Sequence, residues 1–329
     1  HVSTSARGRE RYKNKRIALV WVAVVSSMTV FRLLIGQSGA ALPRSFVEDG
    51  RLPEGLTSIT HAYDVGLHLI GVRLGSGILA TDDELRVDLL WAAQETPLAE
   101  YRTSVLLVGQ DGQTWSPAGT LRPRGYEPPP PTTMWKSGEF AYDPHLVSSL
   151  PGTPPGTYDV VVGLFNRETL EPATLIGPEG EPVGSDLVLG EIRIVRSSEV
   201  PSHSELGIDE PKPRGACGAV ELWTMTLDRA KTSPGALVAV QWIWGASDTP
   251  LGNQLATLSL MGPDDKVWDR WRLPPVASWW PTNRWEAGDR WLGQHILRLP
   301  GDLETGTYVL ETGFEGCPDP LARESIAVE

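Results

Sequence analysis

The chain carries its own pattern twice, and this constrains its fold more than any single motif. Leu69-Ile70-Gly71-Val72-Arg73-Leu74 matches Leu222-Trp223-Thr224-Met225-Thr226-Leu227 at an offset of 153 residues. The same offset aligns Trp91 with Trp244, and Gln110 to Trp115 with Pro263 to Trp268. After a loop three residues shorter in the second copy the offset becomes 150, aligning Trp135 to Glu139 with Trp285 to Asp289 and Gly156-Thr157-Tyr158 with Gly306-Thr307-Tyr308. Five blocks in one order with one small gap mean two copies of one domain.

Each copy reads as short strands. Leu85 to Trp91 and Leu237 to Trp242 are β-rich runs between turn clusters, and TYDVVVGLF from Thr157 and TYVLET from Thr307 each follow a glycine that can supply a turn. Asp111-Gly112 between two such runs is a hairpin signal. With 34 Gly and 28 Pro the chain is punctuated too often for long helices, while 40% hydrophobic residues supply material for cores. The expected fold class is all-β: two tandem antiparallel β-sandwiches, jelly-roll or immunoglobulin-like, preceded by one transmembrane helix. The copies are placed at 60–197 and 214–329, joined by a polar, Pro-rich linker at 198–213. The first copy carries an extra Gly-, Pro- and Glu-rich stretch from Asn166 to Asp186, replaced in the second by a short turn around Cys317.

The transmembrane expectation comes from residues 17–36, where IALVWVAVVSSMTVF is uncharged and apolar residues resume after Arg32. Residues 1–16 hold six Arg and Lys against Glu10, which places them on the cytoplasmic side and the residues after about Gln37, beginning with a juxtamembrane linker at 37–59, outside. A cleaved signal peptide ending near Ser38-Gly39-Ala40-Ala41 is the rival reading. The formal charge of −12 becomes −17 once the basic segment's +5 is set aside, an acidic body that repels phosphate backbones and excludes nucleic acid as a partner. Both cysteines lie in the second copy, Cys217 before its first repeated strand and Cys317 after its Gly-Thr-Tyr strand. Outside the membrane they favour a disulfide over two buried thiols or a metal site.

Chemistry-bearing motifs are scarce. No G-x-S-x-G, H-E-x-x-H, C-x-x-C or G-x-x-x-x-G-K-[ST] occurs. The string Gly75-Ser76-Gly77-Ile78-Leu79-Ala80 lacks a following helix and has no glycine-rich counterpart in the other copy, so it reads as a turn. His61 and His68 are an odd number apart on an extended segment and point to opposite faces, which makes them, with Asp64, a poor metal set. No catalytic residue, cofactor or metal is therefore expected. Tryptophan is the unusual feature: six of 13 fall between positions 268 and 291. Trp268 and Trp285 match Trp115 and Trp135 and read as core, whereas Trp271, Trp279, Trp280 and Trp291 have no counterparts and form the candidate ligand surface, flat faces suited to sugar rings or a partner.

The motif P-T-x-x-W-x-x-G-[ED], then L-P, then G-x-Y, occurs at Pro281 to Asp289, Leu299-Pro300 and Gly306 to Tyr308, and at Pro131 to Glu139, Leu150-Pro151 and Gly156 to Tyr158. It resembles a domain that follows the last membrane helix of bacterial polytopic glycosyltransferases of the dolichyl-phosphate-mannose protein mannosyltransferase type, especially in Chloroflexota-like bacteria. The resemblance spans both copies and consists of turn and core residues. It implies an extracytoplasmic location, and that catalytic residues would belong to a membrane domain this chain does not contain. The expectation is a non-catalytic, membrane-anchored extracytoplasmic module in the bacterial cytoplasmic membrane that binds or positions an envelope glycan or a protein partner. The alternatives are an accessory region of a lipid-linked sugar transferase, for which a first residue His1 rather than Met leaves room, and a structural spacer or adhesion module.

Overall fold

Alternation of apolar and polar residues makes strands here, and glycines and prolines end them. A computed structural model describes residues 53–80, 83–197 and 199–329. The basic segment 1–16, the expected span 17–36 and most of the juxtamembrane linker lie outside the described residues, among which no helix is long and apolar enough to cross a membrane. Strands hold about half of the described chain, in four sheets, and the two helical elements, Thr132–Met134 and Thr282–Arg284, are single turns.

The first repeat contributes β1 (Thr57–Tyr63), β2 (Leu67–Leu74), β3 (Ile78–Ala80), β4 (Glu84–Ala93), β5 (Tyr101–Val108), β6 (Phe140–Ser148), β7 (Gly156–Asn166), β8 (Leu175–Ile176), β9 (Pro182–Gly184) and β10 (Asp186–Val195). They form a six-stranded sheet ordered β6-β4-β2-β1-β8-β9 and a four-stranded sheet ordered β3-β10-β7-β5. The second repeat supplies β11 (Gly215–Cys217), β12 (Val220–Leu227), β13 (Lys231–Thr232), β14 (Leu237–Ala246), β15 (Ala256–Met261), β16 (Val267–Leu273), β17 (Arg290–Arg298), β18 (Gly306–Phe314) and β19 (Ala322–Val328). Its sheets run β11-β12-β14-β17 and β13-β19-β18-β15-β16.

The duplication extends to individual hydrogen bonds. Pairing of β2 with β4 shifts register between Leu69 and Gly71, and pairing of β12 with β14 shifts between Leu222 and Thr224, the same bulge twice. Thr132 Oγ1 donates to the Ala99 carbonyl and accepts from Tyr101 N; Thr282 Oγ1 donates to Gly252 and accepts from Gln254 N. The tyrosine of each Gly-Thr-Tyr returns its hydroxyl to a carbonyl four residues upstream, Tyr158 to Pro154 and Tyr308 to Glu304. Each stands edge-on to its repeat's tryptophan, with ring centroids 6.2 Å apart for Trp115–Tyr158 and 6.0 Å for Trp268–Tyr308.

The copies differ in how the first strand is tied down. In the first, the extra stretch folds into β8 and β9 and extends the sheet, with Ala62 opposite Ile176 and Tyr63 opposite Leu175. Asp64 continues that attachment, donating N–H to the Thr174 carbonyl and accepting Thr174 N–H on Oδ1, both at 2.9 Å. In the second copy the residue matching Asp64 is Cys217, and it is joined to Cys317 by a disulfide with Cα atoms 6.1 Å apart. A covalent tie stands where the first copy uses strand pairing.

The segment expected as a free linker is packed. Leu206 and Ile208 are buried, and His203 lies 4.8 Å from the Trp223 ring. Two apolar residues hidden in a polar stretch anchor it against the sandwiches.

Candidate functional site

Two places draw side chains of interest together, the seam between the repeats and a cavity within the first repeat. Three of the four tryptophans without counterparts belong to the seam. Trp279 lies in the turn after β16, 6.1 Å from the Trp115 ring and 6.1 Å from the Tyr158 ring, so it fills against the first repeat. Trp280 meets Trp291 edge-on at 5.4 Å, and the Arg196 guanidinium stands 5.5 Å from both rings. Arg196 follows the last strand of the first repeat and also donates to Asp289 Oδ1 at 3.0 Å and the Arg284 carbonyl at 2.8 Å. Leu292 N–H donates to the Gly152 carbonyl, and Gln113 and Gln294 each send an amide N–H to a backbone carbonyl across the seam. Trp271 stands apart, partly buried on the edge strand β16. Of the candidate ligand surface, Trp279 thus packs against the first repeat, Trp280 and Trp291 pack on each other beside Arg196, and Trp279 and Trp280 stay partly exposed.

The cavity encloses about 510 Å³ and opens between the β5 edge and the connection from β5 to β6. Its wall includes Thr103, Val105, Trp91, Phe165 and the proline run Pro128 to Pro131. One side is a buried polar network. Asp143 and His145 alternate with Pro144 on β6, which puts both side chains on the inner face. His145 Nε2 lies 3.0 Å from Asp143 Oδ2, and its Nδ1 lies 2.6 Å from Thr120 Oγ1. Arg122 pairs with Asp143 and donates to the Pro144 carbonyl at 2.7 Å. Burial would raise the Asp143 carboxyl, but the His145 hydrogen bond, the charges of His145 and Arg122, and the Thr103 hydroxyl hold it down at about 2. The acid is therefore a fixed anion throughout the physiological range.

At the mouth, Arg167 donates to Glu100 at 2.8 Å and Arg102 approaches the same carboxylate at 3.5 Å. Three guanidiniums, those of Arg102, Arg122 and Arg167, face two carboxylates, Glu100 and Asp143, leaving a local positive surplus in an acidic chain.

The second repeat fills the corresponding place. Gly293 matches Asp143, and a Cβ there would lie 2.0 Å from the Pro275 carbonyl oxygen. His295 matches His145 and donates from Nε2 to the Pro274 carbonyl at 2.9 Å. Val276 and Ala277 are buried beside them. The divergence begins one residue after the matched tryptophans. Asp269 continues β16, whereas Ser116-Pro117 turns the first copy away, because proline cannot donate to a ladder.

Sequence reasoning passed over this site, although a signal was present just beyond the aligned blocks: Asp143-Pro144-His145 against Gly293-Gln294-His295, and Ser116-Pro117 against Asp269-Arg270. His61 lies opposite Leu69 and His68 opposite Ala62 on adjacent strands, so the two imidazoles leave the sheet on opposite faces. Among the described residues no group of three ligating side chains could hold a metal ion.

No family model matches the chain, and no curated protein matches it. Among solved structures it is similar to a Pseudomonas fluorescens alkylpurine DNA glycosylase at 10% identity, covering 34% of this chain and 30% of that one, with a TM-score of 0.25. Similarity to the Yersinia pseudotuberculosis adhesin InvE is at 9% identity over 78% of this chain and 58% of the adhesin, with a TM-score of 0.20. A Salmonella alpha-2-macroglobulin matches at 10% identity over 78% of this chain and 14% of that one, with a TM-score of 0.21. The chain thus spans less than two thirds of each, and likenesses of this size carry no argument about what it does.

Proposed function

We propose that the chain is a non-catalytic extracytoplasmic binding module, held to the bacterial cytoplasmic membrane by residues 17–36, whose first repeat takes the ligand and whose second repeat braces it. The observation that carries this reading is the divergence of two otherwise matching sandwiches, one with a polar-walled cavity of about 510 Å³ and one with the same place filled by its own chain. The disulfide supports the outer side of the membrane, where such bonds persist. A protein partner fits better than a glycan stacked on Trp279, Trp280 and Trp291, since these indoles are engaged within the seam.

Selection of displayed peptide and glycan libraries on the full chain tests the module reading, with Ala118→Trp at the exposed cavity mouth as counter-selection. Ligands enriched on the wild type and lost on the variant support it. Enrichment indifferent to the variant, or none, overturns it.

A second reading rests on the Thr120, His145 and Asp143 trio, a hydroxyl on an imidazole on a carboxylate. In that reading the first repeat turns over activated esters, and Thr120→Val abolishes the turnover.

A further inference from the structure

The two copies share one more identity, and packing does not account for it. Thr96-Pro97-Leu98 and Thr249-Pro250-Leu251 match at the offset of 153, in the loop from β4 to β5 and the loop from β14 to β15. In both loops the threonine is exposed and the proline buried. The leucine is wholly exposed, at 103% for Leu98 and 106% for Leu251. An exposed acid stands three residues before it each time, Glu95 and Asp248. The loops are also pinned alike. Gln94 N–H donates to the Gly66 carbonyl and Ser247 N–H to the Ala219 carbonyl, at 2.8 and 2.9 Å. Just past each leucine, the buried hydroxyls of Thr132 and Thr282 hold the carbonyls of Ala99 and Gly252. Each leucine is thus presented on a braced turn, which leaves little to be ordered when a partner binds.

One exposed leucine needs no account. Two at the same position do, in copies that have diverged at Asp143 and Gly293 and at Asp64 and Cys217, because a wholly exposed leucine adds no packing to either fold. The cavity is not the reason, since the second repeat keeps the leucine although its own cavity is plugged. We propose that Leu98 and Leu251 are twin docking knobs, each entering a leucine-sized apolar socket with a basic rim on a partner protein. The basic rim follows from the acid repeated beside each leucine. Those acids disfavour an anionic lipid surface. Placement disfavours a lipid surface as well. Leu98 lies past the Ala93 end of β4, whereas Glu84 at the other end pairs with Ser148, beyond which Gly152 meets Leu292 at the seam. Ten residues of strand span about 30 Å. Leu251 stands near the seam, its loop held by Thr282 two residues before Arg284, whose carbonyl accepts from Arg196. The knobs are therefore set about a strand length apart along the two repeats, a spacing that suits separate sockets rather than one flat membrane. This surface is distinct from the cavity and does not depend on what the cavity takes.

Photo-cross-linking in membranes of the cells that make the full chain tests the proposal, with benzoylphenylalanine at position 96 or position 249, the exposed neighbours of the two knobs. Both positions should give an adduct with the same protein. Leu98→Ser should lower the adduct at position 96 by about tenfold or more and spare the one at position 249, and Leu251→Ser should do the reverse, each from the loss of one buried leucine. Glu95→Lys and Asp248→Lys should each lower the adduct of their own loop several-fold. All four altered side chains are exposed, so melts of these variants should match the wild type, and a lost adduct then reports contact and not folding. Adducts with different proteins at the two positions, adducts indifferent to the serine variants, or no adduct overturn the proposal. Adducts with lipid assign the knobs to the membrane, adducts with a second copy of the chain assign them to self-association, and either result overturns it too.

Discussion

His145 and His295 occupy one position in two copies of a domain, yet one sits between a carboxylate and a hydroxyl and the other against a tryptophan ring and a proline carbonyl. His145 is shared by Asp143 and Thr120. His295 lies 5.1 Å from the Trp242 ring and donates to Pro274. The difference follows from residues 143 and 293. An aspartate keeps the peptide chain out and a glycine lets it in. That pair, together with the turn at Ser116-Pro117, separates an open cavity from a plugged one.

Stability should fall on mild acidification because of His295. Burial lowers its pKa below 6.5, outweighing the hydrogen bond to Pro274, so the folded state prefers the neutral ring. The unfolded chain then binds the extra proton, and stability that is complete above about pH 6.5 declines as the pH drops toward the folded pKa. His295→Gln keeps an N–H donor and removes the titration. Urea midpoints measured at pH 7.5 and 5.5 should show a smaller drop for this variant than for the wild type.

A separate acid window belongs to Asp143. Its carboxyl, near 2 in the fold against an ordinary 3.8, contributes stability that is present above pH 3.8 and lost as the pH falls through 2. The difference is worth about 2 kcal/mol. Asp143→Asn should flatten the acid limb of the unfolding curve below pH 4 while leaving the His295 window in place.

The duplication, the strand character of both copies and the cysteine pairing were legible because each depends on residues that a domain needs wherever it stands. Thr132 and Thr282, or Tyr158 and Tyr308, repeat because the same turn must close twice. The seam was not legible for the opposite reason. Each repeat meets its sister through a different face, so Trp279 and Trp280, which serve the contact, have no counterpart in the first repeat, and absence of a counterpart is also how a ligand surface would announce itself. Trp279 and Trp280 stand out in a self-comparison because they touch the other copy. The cavity escaped notice because it is made by the path of the chain after Pro117, which no local period records.

Removing the disulfide should loosen the second repeat at its first strand. The bridge spans 100 residues. In the chain-entropy model a loop of that size contributes about 4 to 5 kcal/mol. Cys217→Ser with Cys317→Ser should lower the unfolding free energy by that order, and hydrogen exchange should show the amides of β11 opening early. Ala62 and Tyr63 in the first repeat, tied by β8, should keep their protection.

Thr132→Val and Thr282→Val should cost the same. Each hydroxyl donates to one carbonyl and accepts one N–H, 3.2 and 2.8 Å long in the first repeat and 2.8 and 2.9 Å in the second. Valine fills the space and leaves both backbone groups unpaired, a loss of about 1 to 3 kcal/mol. Denaturant melts of the two single variants should agree within about 0.5 kcal/mol, and being in different repeats the two losses should add in the double variant.

Gly156→Ala should strain the seam between the repeats. A Cβ at Gly156 would lie 2.6 Å from Trp279 Nε1, and the indole is held from two sides by Trp115 and Tyr158, so it has little room to yield. Overpacking of this kind costs about 1 to 3 kcal/mol. Trp279→Leu alone should also destabilise, by removing ring contacts across the seam. Combined with Gly156→Ala, however, it should recover part of the loss, because the added methyl then meets a smaller neighbour. The double-mutant cycle reads this directly: a combined cost well below the sum of the single costs places both residues in one contact, whereas strict additivity would remove Gly156 from the seam.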